Sequence, residues 1–208
     1  MKSAQKQLSA FTMVELLLAM GVCVIGICGI MVLFPVGATA SRDAAMETYA
    51  ANAADQMLGC LKYAITQNAT EWDKYIIAEG ATATGTSLPD DNPSNKENPT
   101  TPYNLQDTAV WSTSLDVVAD NIFKHNTNNG VFQIISCRDD SPAVNSPNVD
   151  FRAIMNVWRK DVTVGAVTLP HRMAIQLNVE VSWPAALPYN ARQKSTFILE
   201  VFNPNYSP

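Results

Sequence analysis

Between Glu15 and Arg42 the chain carries no charged side chain, and from Leu16 to Phe34 all 19 residues are apolar or glycine. A helix rises 1.5 Å per residue, so this run reaches about 28 Å, close to the hydrocarbon thickness of a bilayer. Ahead of it stand ten short, polar residues with Lys2 and Lys6. Positive flanks stay on the cytoplasmic side, which places the bulk of the chain outside, single-pass, in contact with lipid of the cytoplasmic (inner) membrane.

Three readings fit such a segment. A secretory signal peptide is one, and Ala38-Thr39-Ala40 supplies an A-x-A cleavage pattern, although the apolar core exceeds the usual length of roughly 7–15 residues. A plain single-pass anchor is the second. Neither accounts for Glu15, since a carboxylate in a membrane helix costs about 2.5–3.5 kcal/mol at the centre and less near an interface. An acid at that place asks for a partner.

The third reading names one. The stretch Ala10-Phe11-Thr12-Met13-Val14-Glu15-Leu16-Leu17-Leu18-Ala19-Met20 resembles the prepilin leader and helix start of type IV pilins and type II secretion pseudopilins. The resemblance covers about thirty residues. It implies that a membrane prepilin peptidase cuts the Ala10–Phe11 bond and methylates the new amino group of Phe11. The family favours Gly before the cut, where this chain has Ala10. Glu15 becomes the fifth residue of the processed chain, the family's acidic position. Its charge would pair with the Phe11 amine of a neighbouring subunit, and such a buried pair acts as a registry device more than as net stabilisation.

Pro35 and Gly37 follow the run, and Pro35 is expected to kink the helix or end the span. Beyond Ser41, Met46, Tyr49, Ala50, Ala53, Met57, Cys60, Leu61 and Ala64 recur at steps of three and four, one apolar helical face. A helix from Thr12 to about Gln67 would be some 80 Å long. From Glu79 to Asn104 four prolines with many Thr, Asn, Asp and Gly predict a long surface loop. Asp90-Asp91-Asn92 within it offers oxygen donors for calcium, without EF-hand spacing.

The last third reads as strands over 130–137, 151–158, 173–183 and 195–202. Along Met173–Trp183, Ile175, Leu177, Val179 and Val181 alternate with Gln176, Asn178, Glu180 and Ser182. Three or four antiparallel strands, polar on one face and covering a long helix, make an α+β head. Joined to the resemblance, this implies the type IV pilin fold, a long N-terminal helix on a C-terminal antiparallel sheet. The segments are a leader (1–10), a hydrophobic helix (11–40), its amphipathic half (41–68), a loop-rich region (69–129) and a β head (130–208). The passage Val179–Pro184 is similar to sheets of minor pilins.

Charge and motifs narrow the function. The net charge of -5 does not give the basic footprint of a nucleic-acid binder, so no nucleic-acid partner is expected. His125 and His171, the two histidines, lie in no zinc pattern, no C-x-x-C pair exists, and there is neither a G-x-S-x-G elbow nor a phosphate loop. Asp139-Asp140 sits in turn-like sequence. No enzymatic activity and no cofactor are expected. Cys23 and Cys28 lie in the apolar run, leaving Cys60 and Cys137 as one conditional disulfide, if the helix end packs on the first strand within about 7 Å.

Two functions are then open. One is a structural subunit, a minor pilin or pseudopilin of a pilus, type II secretion or DNA-uptake machine. Its implied partners are the prepilin peptidase, other pilins in the filament, and an inner-membrane assembly platform with its ATPase. The other is a membrane-anchored, adhesin-like binding module, for which Trp111, Trp158 and Trp183 are the aromatic candidates.

Overall fold

The computed structural model describes residues 12–67, 69–76, 87–113, 119–137 and 142–207. By contacts the chain forms two compact units, Met1–Ala45 and Met46–Pro208.

One helix, α1, spans Met13–Thr66, close to the expected bounds, with Pro35 inside it. Thr39 Oγ1 donates to the Pro35 carbonyl at 2.8 Å, an i−4 bond one turn on from the proline. In the first unit the apolar side chains from Met13 to Val36 are exposed. In the second unit Ala50, Ala53, Ala54, Met57, Leu58, Leu61, Ala64 and Ile65 are buried, recurring at helical spacing. Four of these eight are alanines. A short helix, α2 (Ala69–Tyr75), follows and buries Trp72 and Tyr75.

The head holds β1 (Trp111–Thr113), β2 (Ile122–His125), β3 (Val131–Cys137), β4 (Val149–Asp161), the short hairpin strands β5 (Thr163–Val164) and β6 (Val167–Thr168), β7 (Ala174–Trp183) and β8 (Gln193–Phe202). Six of them make one antiparallel sheet in the order β1-β2-β3-β4-β7-β8. The sheet is thus wider than the expected three or four strands. Its two extra members come from 69–129, the region expected to be loop-rich.

Alternation along the strands sorts side chains to two faces. Ile134, Ala153, Met155, Val157, Ile175, Leu177, Val179 and Val181 meet α1 in the main core. Each such large side chain contributes about 1.5–3 kcal/mol by leaving water. The other face, expected to be polar and wet, is largely covered. Trp111, Phe123, Val131, Ile135, Val144, Ile154 and Ala185 form a second core there. Gln133, Asn156, Asn178, Glu180 and Ser182 are buried beside it.

The cover is the segment from Ser87 to Leu105, part of the predicted surface loop. Leu88 enters the main core. The segment then runs past β4 just where β3 has ended. There the Gly130 carbonyl accepts from Val157 N at 2.7 Å and the Pro89 carbonyl from Arg159 N at 2.9 Å, which completes the ladder of β4. A 3-10 turn, Pro93–Lys96, capped by the Asn92 side chain, carries the segment onto the far face.

Candidate functional site

The start of α1 is the first candidate. Thr12 Oγ1 accepts from Glu15 N at 3.4 Å, and Glu15 Oε2 accepts from Thr12 N at 3.4 Å. These reciprocal bonds form a capping box, the T-x-x-E pattern that satisfies otherwise unpaired donors at a helix start. Glu15 therefore has a local structural task besides the one the resemblance implies, and Thr12-Met13-Val14-Glu15 carries its pattern in the sequence. Ala10 and Phe11, the expected cleavage and methylation positions, lie outside the described residues.

Above Glu15 the helix is long and apolar enough to cross a membrane, by length and composition, and none of its most apolar stretch is covered by the rest of the chain. Cys23 and Cys28 are exposed on this stretch.

The second candidate is a polar cluster on the far face of the sheet. Arg192, just before β8, and Glu97, on the covering segment, form an ion pair at 2.6 Å, with side chains 0% and 1% exposed. Burial pushes the Glu97 carboxyl up, and the charge and hydrogen bond of Arg192 pull it back. Arg192 Nε also donates to the Leu187 carbonyl at 2.7 Å. Glu180 of β7 accepts from Tyr189 Oη at 2.9 Å, from Asn92 Nδ2 at 3.2 Å and from Asn156 Nδ2 at 3.3 Å. Two carboxylates thus hold the covering segment to β4, β7 and the β7–β8 connection. Chemically the arrangement is a clamp: Arg192 answers Glu97, and three neutral donors hold Glu180.

His125 closes the far core at β2. Its Nδ1 accepts from the backbone N–H groups of Thr127 and Asn128 at 3.1 and 3.0 Å, which requires a neutral ring with its proton on Nε2. The ring packs against Tyr103 and Trp111, and burial lowers its pKa. His171 instead lines an open cleft of about 270 Å³ with Asp90, Arg159, Lys160 and Asp161. That is smaller than the roughly 300–1,000 Å³ of typical ligand pockets.

Several expected sites have other occupations. Cys60 and Cys137 are free thiols, so the conditional disulfide is not formed. Cys60 lies on α1, whereas Cys137 packs onto the second core, which faces away from that helix. Of the three oxygen donors considered for calcium, two are drawn to protein partners: Asp90 pairs with Arg159, and Asn92 caps its own turn and donates to Glu180. Trp111, Trp158 and Trp183 are all buried, so none is an exposed stacking platform. Asp139 and Asp140 lie outside the described residues. Among the described residues no three His, Cys, Asp or Glu side chains gather as a metal site.

Sequence reasoning missed Glu97, Arg192 and the clamp. The partners are far apart in the chain, and only the sheet register brings them together. The alternating polar face of β7 was the one available signal.

No protein family, curated protein or solved structure matches this chain.

Proposed function

We propose that this chain is a structural subunit of a pilus-type or type II secretion-type filament, a minor pilin or pseudopilin. The observation that carries the reading is a single continuous helix of two characters. Its first half is apolar and exposed, while its second half packs into the core of an α+β head. An uncovered apolar helix of this length needs lipid or other such helices around it. The leader-like residues before Phe11 and the acid at Glu15 select the filament among single-pass arrangements.

In this reading a prepilin peptidase cuts before Phe11 and methylates it, which gives the type IV pilin fold its mature start. The helix is held in the inner membrane with the head outside. It then passes into the filament through an assembly platform driven by a separate ATPase. Glu15 pairs with the Phe11 amine of a neighbour and sets the axial register. The head supplies packing surface and no catalysis.

The capping box offers a clean test, because glutamine serves at that position as well as glutamate but carries no charge. Glu15→Gln is expected to keep the helix and membrane retention, and to be absent from sheared filaments in which the wild type is found. Glu15→Gln protein recovered in filaments at the wild-type level would reduce Glu15 to a helix cap and contradict the reading.

A further inference from the structure

Among the described residues, β8 (Gln193–Phe202) ends the sheet and is paired on one side only. Its register against β7 runs without a break from Gln193 opposite Trp183 to Phe202 opposite Ala174. Its ten residues include no proline or glycine. Proteins usually blunt a free edge with a proline, a bulge or a very short strand, because unpaired backbone groups template another strand. β8 has none of these three devices; the further device, charge on the edge, is present as Lys194 and Glu200, which are of opposite sign. On the helix side Phe197 and Leu199 rest on the main core. On the other side Lys194, Thr196, Ile198 and Glu200 follow one another at period two, with Ile198 59% exposed.

We infer that β8 pairs antiparallel with β8 of a second copy of this chain, about a two-fold axis at Phe197. The charge pattern argues for a copy as the occupant. In this register Lys194 stands opposite Glu200 of the second copy, and the two-fold repeats the pair. Between these pairs Thr196 stands opposite Ile198 of the second copy. Oppositely charged residues directly across an antiparallel pair stabilise it, and like charges there oppose it. A shift of two residues one way sets Lys194 against Phe202 and Glu200 against Thr196. The opposite shift sets Lys194 against Ile198 and Glu200 against Arg192, which lies before β8 and is buried with Glu97. Both ion pairs are lost in either case. Lys194 also lies 4.1 Å from the centroid of its own Tyr189 ring, which steadies the ammonium at the start of the strand.

The contact is isologous, the same patch on both copies. A two-fold normal to the sheet reverses every direction in its plane, so the joined heads run antiparallel. It therefore joins copies of opposite orientation and is distinct from the stacking of like-oriented subunits along a polar filament.

The test uses the full chain in detergent, as an equal mixture of isotope-labelled and unlabelled copies treated with a zero-length carbodiimide. Six residues along one strand separate Lys194 from Glu200 by about 20 Å, so a bond between them has to join two copies. A Lys194–Glu200 cross-linked peptide of mixed isotope is expected. A second measurement captures an untagged copy with a tagged one. Lys194→Glu alone and Glu200→Lys alone should each be captured by themselves about tenfold less than wild type. Each variant mixed with the other should recover wild-type capture, because the opposed charges are restored. Absence of the cross-link, or capture that is the same for every combination, would overturn the proposal.

Discussion

Gly130 shows how one residue ties the covering segment to the sheet. Its φ is +79°, a conformation that L side chains avoid. A Cβ there would also strike the Val157 carbonyl and the Pro89 ring. Gly165 shares the positive φ but faces open space. Gly165→Ala should therefore cost only the conformational penalty, about 1–2 kcal/mol. Gly130→Ala should cost clearly more, as read by urea unfolding followed through tryptophan fluorescence. His125 gives a pH prediction at the same scale. Its folded pKa is depressed, so the stability it contributes is present above its ordinary value of 6.5 and is lost as pH falls through the folded value. Wild-type unfolding midpoints should fall as pH drops below 6.5, and His125→Gln should flatten that fall. Glu97 works the other way. Its carboxyl is raised, so its contribution is present below 4.5 and is lost as pH rises through the folded value. Comparison of wild type with His125→Gln isolates the histidine, since Glu97 is common to both.

At the scale of elements, the long helix and the strands β3, β4, β7 and β8 were legible in the sequence. Each carries enough residues for its period to show: steps of three and four along α1, and strict alternation from Ile175 to Val181. Short elements were not. β1 has three residues and β2 four, too few for a period to emerge, and they joined the sheet through pairing with β3. The far face was misread for a different reason. Polar residues at alternate positions usually face water, but here Asn156 and Glu180 meet a segment from far away in the chain. Its anchor can be tested. Arg192→Met leaves the buried Glu97 carboxyl without its cationic partner, and should destabilise the head by about 3–5 kcal/mol. Adding Glu97→Leu should recover most of that loss, because an apolar pair of similar volume no longer buries a lone charge. A double variant no more stable than Arg192→Met, in the same unfolding measurement, would show that the ion pair is not what holds the cover.

Across the whole molecule, charge distribution was the most readable property. With 16% charged residues and none between Glu15 and Arg42, the chain declares its apolar helix through charge placement alone. The fate of Glu15 was less readable, because the same carboxylate fits a subunit registry pair and a capping box with Thr12. Thr12-Met13-Val14-Glu15 carries the capping pattern in the sequence, and the helix start shows the bonds formed. The filament account makes its most direct commitment at the bond between Ala10 and Phe11. Intact mass and N-terminal sequencing of the protein recovered from its native membrane test that commitment. The account predicts a chain that begins at Phe11 and carries one added methyl group. A chain that begins at Ser41, or one that retains Met1 uncut, would contradict it.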